Sequence, residues 1–286
     1  MWEHLKQEQK EKYKTLITNF ASLSEAFSQK AEGEDSDDRE SYVAPIVNSK
    51  FQETVFQKAF HAVGEDIANT SYDASLVVDE QHKYLVGIKS FGLDSGDQKI
   101  AQFKKDSQSW NELLSEIRFH AEISPDKETA DKENRARYEK LAREIATLRN
   151  QRIESSKALI KGFHSDSSHV EAVYHVLMPT SKGHKPQIHV GETTYLPVDL
   201  DHLKILGSTT KNNPTNFRFT DGQHDYKYTA ADSQLHMTFR NKEIVVDTWD
   251  VNYVEDPFYL FEHLHLLTSE KSDSEILESV SWVITD

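Results

Sequence analysis

The chain has 286 residues, enough for one large domain or two modest ones. Its 37% apolar and 28% charged residues fit a soluble globular protein with a buried core, and the absence of cysteine excludes disulfides and Cys-based zinc sites. No run approaches the ~18 apolar residues of a membrane span, and the first residues lack a signal-peptide core, so no membrane and a cytoplasmic location are expected. The net charge of −15 weighs against a polyanionic partner, but part of it is the local acidic block Glu32 to Asp38, which reads as a solvated linker.

Residues 2–30 carry Leu5, Tyr13, Leu16, Ile17, Phe20, Leu23 and Phe27 in a broken apolar stripe, which predicts a helix. The helix and the acidic linker make a first segment, 1–40. Asn48 or Ser49 can cap a second helix, whose face is Phe51, Val55, Phe56, Ala59 and Phe60, with Glu53 near its first turn. Past Gly64 the period changes to that of strands. Asp73 to Val78 and Tyr84 to Phe91 are short and β-branched, and the polar run Asp79 to Lys83 reads as their turn. Gly92 to Gly96 is a break. Ile100, Phe103, Ser107, Trp110, Leu113, Leu114 and Ile117 then predict a further helix running to about His120.

From Asp126 to Lys161 there is no Gly or Pro, and Tyr138, Leu141, Ile145, Leu148 and Ile153 recur near helical spacing. This predicts a long, mostly solvated helix, ended by Gly162. Its Arg135, Arg137, Arg143, Arg149 and Arg152 could follow phosphates, but interleaved acids favour an exposed helix face. His169 to Met178 alternates as a strand and stops at Pro179. Beyond it, 188–190, 194–196, 217–219, 226–228, 235–239 and 244–246 read as short strands, with Lys211 to Asn216 as a polar loop between two of them. A helix from Phe258 to Leu267 and a terminal strand at Trp282 to Ile284 are expected. The paired histidines His263/His265 and His184/His189 lack the context of zinc motifs and read as ordinary surface or core residues.

A hairpin that opens with Asp73 and carries Lys89 on its far arm can bring a carboxylate beside an ammonium. That pair, with a carboxylate on a preceding helix, suits metal-assisted phosphodiester hydrolysis. At Asp73, Lys89 and the run LVGIKSFGLDSGDQKIAQFK the chain resembles the PD-(D/E)xK nuclease superfamily, in particular the HindIII-like type II restriction endonucleases. The resemblance covers about a fifth of the chain. It implies an α/β fold with a restriction-endonuclease-like αβββαβ core and mixed sheet at 41–178, followed by a β-rich recognition region with a C-terminal helix at 179–286. It further implies a Mg²⁺-dependent enzyme that cuts double-stranded DNA at a specific sequence in the bacterial cytoplasm and works as a homodimer. Asp73 and Glu53 would hold the metal, Lys89 would assist the attacking water, and Gln98 would support a phosphate or water. Ser90, Lys99, Arg218, Lys227, Asn216 and Gln223 would contact DNA, since such side chains serve phosphates and base edges.

One position departs from the family pattern. Gly87 stands where an acid normally precedes the Lys by two residues. The expected remedy is that Gly87 leaves room for the longer Glu53 side chain, with Asp94 or Asp79 next in line. The alternatives are a non-catalytic DNA-binding protein with a degenerate site, and a defence or repair nuclease of little sequence preference.

Overall fold

The structure is a computed structural model that describes residues 1–27, 42–64, 71–160 and 170–264. The acidic block, Gly162, His265 and the expected terminal strand lie outside the described residues. Two sheets and five α-helices make up the described chain, which is mixed α/β.

The first sheet holds β1 (Val63–Gly64), β2 (Ala74–Val77), β3 (Lys83–Ser90), β5 (Val170–Pro179), β6 (Gln187–Thr194) and β11 (Val245–Asp250) in the order β1-β2-β3-β5-β6-β11. Among the described residues only β3 and β5 run parallel; the other pairs are antiparallel. Helices α1 (Gln7–Ala21) and α2 (Ser49–Phe60) cover one face. There Tyr13, Phe56 and Phe60 pack on Val86, Ile88, Leu177 and Trp249. Asn48 caps α2 as expected, accepting from the Phe51 N–H at 2.9 Å. Because side chains alternate along a strand, Leu85, Gly87 and Lys89 of β3 point to the other face. That face meets the long helix α4 (Lys127–Leu159), which lacks Gly and Pro throughout and is capped by Asp126 on the Thr129 N–H.

The second sheet is β4 (Gln98–Gln102), β10 (Gln234–Met237), β9 (Asp225–Thr229), β8 (Asn213–Thr220) and β7 (Lys204–Thr210), in the order β4-β10-β9-β8-β7 and antiparallel throughout. Its inner side chains, Phe217, Phe219, Tyr226, Tyr228, Leu235 and Met237, join the core around α4. Helix α3 (Asn111–Ile123) packs beside α4, where the buried Asn134 donates to the Ile117 carbonyl at 3.0 Å.

Several expectations are corrected. Residues 98–102 are strand β4, not the start of a helix, which begins only at Asn111. The apolar residues at helical spacing are there, but Ile100 and Phe103 belong to a strand and its end, because pairing with β10 outweighs local preference. The N-terminal helix is shorter than expected: 3-10 turns at Trp2–His4 and Ser24–Phe27 flank α1. Asn213 to Asn216 is part of β8 rather than loop, and β7 has no counterpart in the expected strands. Helix α5 spans Pro257–His263. Helix α4 is mostly solvated along its length as expected, but Arg149 lies on its buried stripe, only 3% exposed. The expected boundary at residue 178 does not separate the sheets: β6 and β11 join the first, and β4 joins the second.

Candidate active-site cavity

Asp73 stands one residue before β2. Its N–H donates to the Val86 carbonyl at 2.9 Å, and its Oδ2 accepts the Ile88 N–H at 2.6 Å. The antiparallel register therefore fixes this carboxylate against the far arm of the hairpin, one residue from Lys89. Both side chains line a cavity of about 720 Å³ between the first sheet and α4. The helix supplies Gln151, Arg152, Ser155 and Ser156, while Ile100 of β4 and Asp106 complete the wall.

Burial pushes the Lys89 ammonium below the ordinary lysine range. Asp73 opposes that shift, and the charges of Lys99 and Arg149 add to it. The Lys89 Nζ lies 5.8 Å from the centre of the Tyr174 ring. Tyr174 stacks on Tyr195 with centroids 4.0 Å apart and planes at 11°. The Tyr195 hydroxyl donates to the Ser71 carbonyl at 2.9 Å. Behind this pair is Arg149, whose guanidinium lies 5.3 Å from the Tyr195 ring centre and donates to the Leu196 carbonyl at 2.8 Å. Arg152 donates to the Gln102 carbonyl at 2.7 Å, covers the Phe103 ring at 4.6 Å, and reaches Asp106 at 3.4 Å.

The room expected at Gly87 does not exist. A Cβ built there would come within 2.9 Å of both the Tyr174 and the Tyr195 rings. The stacked tyrosines, not the Glu53 side chain, fill the space beside the glycine. Glu53 sits on α2, which packs on the other face of the sheet, and it pairs with Lys50 at 2.8 Å. Asp94 pairs with Lys242 at 3.1 Å, and Asp79 with His82 at 2.9 Å. None of these three acids lines the cavity. Gln98 lies on β4 and folds back, its Nε2 donating to Ser95 Oγ and to the Gly96 carbonyl.

Of the residues expected to contact DNA, Ser90 lies on the first sheet and the others on the second sheet or its turns. Ser90 shares a hydrogen bond with Ser49 at 2.9 Å. Asn216 Oδ1 accepts the Ala230 N–H at 2.9 Å, a structural bond within the second sheet. Gln223 is exposed in the β8–β9 turn. Lys99, Arg218 and Lys227 lie on β4, β8 and β9.

Residue order alone did not point to Asp106, Tyr174 or Tyr195, and it offered Arg149 and Arg152 only as phosphate contacts, a reading set below that of an exposed helix face. Arg149 carried a signal: it holds the helical step between Ile145 and Ile153, where the stripe of α4 calls for an apolar side chain. As for the expected Mg²⁺, the cavity donors are oxygens, which suits a hard cation that keeps most of its waters and takes one or two carboxylates plus substrate oxygens. Asp73 and Asp106 are the carboxylates in the wall, and among the described residues no three His, Asp or Glu side chains gather as a metal cluster. Comparison with protein-family models, with curated proteins and with solved structures finds no match to this chain.

Proposed function

We propose that the chain is a Mg²⁺-dependent endonuclease of the restriction type, acting on double-stranded DNA. The observation that carries the reading is the meeting of Asp73 and Lys89, from neighbouring strands, in one polar cavity. In the first sheet β1, β2 and β3 follow α2, and after β4, which joins the second sheet, and helices α3 and α4, the chain returns as β5 parallel to β3. That succession within the first sheet supports the reading, because an αβββαβ core needs it. Asp73 would hold the metal, with Asp106 as the other carboxylate of the wall. When bound, Mg²⁺ offsets phosphate charge and lowers the pKa of a coordinated water. The chain's own residues do the rest. Arg152 stands in the wall as a permanent cation for a phosphate oxygen. Lys89, buried in the wall beside Asp73, is placed to orient the attacking water or to offset the charge that develops on the phosphate. The stacked tyrosines close the sheet side of the cavity. Cutting both strands takes two such sites, so the working form is a homodimer.

A second reading, favoured by the tyrosines at Gly87, is a DNA-binding protein whose site has lost the second acid and with it the chemistry. Incubation of plasmid with Mg²⁺ or with EDTA separates the two. The nuclease gives Mg²⁺-dependent cuts, and discrete rather than smeared fragments mark sequence preference. Asp73→Asn and Lys89→Ala are expected to lose at least about a hundredfold in cleavage rate, while both still bind DNA in Ca²⁺. Cleavage by Lys89→Ala at the native rate overturns the assignment.

A further inference from the structure

On the outer face of the second sheet the registers place four side chains in one row. Arg218 faces Lys227 across β8 and β9, Lys227 faces His236 across β9 and β10, and His236 faces Lys99 across β10 and β4. The row crosses four strands, about 15 Å at three strand spacings, or roughly four steps of a duplex at about 3.4 Å each. It carries three permanent cations on a chain whose net charge is −15. One carboxylate answers two of them. Asp97, from the loop before β4, accepts Arg218 at 2.5 Å and Lys227 at 3.0 Å on one oxygen, and on the other Arg218 again at 3.3 Å and Thr238 Oγ1 at 2.7 Å. Asp97 is 8% exposed, whereas Arg218 is 39% and Lys227 25% exposed, so the cations reach solvent past the acid. A guanidinium and an ammonium converging on a pair of oxygens is also how a phosphate is held. Asp225, two residues from Lys227 on the same face of β9, bounds the row on one side.

The row ends on β4, the edge strand that borders the cavity. On β4, Lys99 is exposed while the next residue, Ile100, lines the cavity wall, and the Lys99 charge bears on Lys89. We propose that the row Lys99, His236, Lys227 and Arg218 is the track on which the phosphate backbone of duplex DNA crosses the second sheet toward the cavity, with Asp97 as a built-in competitor for two of its cations. The choice of DNA as the polyanion rests on the nuclease reading.

The test is fluorescence anisotropy of a labelled random-sequence duplex with the full chain in EDTA, over a salt series. Lys99→Glu and Lys227→Ala are each expected to weaken binding several-fold and to flatten the salt dependence by about 0.9 in log–log slope for each phosphate no longer neutralised. Asp97→Asn is expected to tighten binding several-fold. A purely structural Asp97 gives the opposite sign, so a folded Asp97→Asn variant with equal or weaker binding overturns the track. Should Asp97→Asn fail to fold, Lys99→Glu decides alone, because Lys99 is exposed; unchanged affinity and slope for it overturn the proposal, as does a native chain that does not bind the duplex. Plasmid cleavage with binding that ignores these variants removes the track and keeps the nuclease. Binding that obeys them without Mg²⁺-dependent cleavage keeps the track and removes the nuclease.

Discussion

Gly87 matters for what surrounds it. Its φ lies outside the left-handed region, so no backbone conformation demands glycine there. The demand is steric. Tyr174, next to it on the parallel strand β5, and Tyr195, which stacks on Tyr174, both come within 2.9 Å of where a Cβ would sit. Each ring is also fixed elsewhere, Tyr195 by its bond to the Ser71 carbonyl and Tyr174 by burial at 1% exposure. Neither can give way freely, and overpacking of a filled core costs about 1–3 kcal/mol. Gly87→Ala should therefore lower the unfolding free energy by about that much, and Gly87→Glu by more. Urea denaturation measures both. Equal stability of Gly87→Glu and the native chain would mean that the tyrosine pair yields, and that the fold tolerates an acid at this position after all.

Among the elements, α4 builds the cavity. It presents Leu148, Gln151, Arg152, Ser155 and Ser156 to the first sheet. It also ties down the segment that carries Tyr195. Asn150 donates to the Val198 carbonyl and accepts the Val198 N–H, both at 2.8 Å, and Arg149 takes the Leu196 carbonyl. Two main-chain groups of one residue are thus satisfied by one side chain, which fixes where 195–198 lies against the helix. Loss of that clamp leaves both groups short of partners, a cost of about 1–3 kcal/mol. Asn150→Ala should show it in urea denaturation. It should also speed hydrogen exchange at the Val198 N–H. Slow exchange retained at Val198 would assign the clamp to some other contact.

At the scale of the molecule, the core that α1 and α2 share with the first sheet contains a fully buried imidazole. His175 of β5 stacks on Trp2 at 5.6 Å, and its Nε2 lies 3.2 Å from the Tyr13 hydroxyl. Burial, with a contribution from the N-terminal amine, pulls its pKa from the usual value down to about 3. The folded protein therefore holds His175 neutral, while the unfolded chain protonates it below about 6.5. Stability from this group is fully present above pH about 6.5 and is lost as pH falls from there toward 3. Between pH 7 and 5 the loss is about 2 kcal/mol. In His175→Leu that part of the pH dependence should vanish. Parallel urea series at the two pH values check it, and an unchanged difference between the variant and the native chain would assign the acid sensitivity to other groups.

The hairpin of Asp73 and Lys89, the Asn48 cap, the long helix after Asp126 and the strand before Pro179 were legible from residue order. Each rests on local chemistry: a two-residue or 3.6-residue period, a capping side chain, a proline that stops a strand. The meeting of Asp73 and Lys89 followed as well, because antiparallel register brings the two ends of one hairpin together. What residue order left open was everything decided by pairing across long separations. Strand β4 reads as helix until β10, more than 130 residues later, pairs with it. The row from Lys99 to Arg218 exists only through registers among four strands. The side of the sheet on which Glu53 lies depends on how α2 packs, and the space at Gly87 depends on two tyrosines from β5 and the chain after β6. Local periodicity sets which elements form and which side of each is apolar. Only tertiary packing sets which charged and aromatic side chains from distant elements share one cavity.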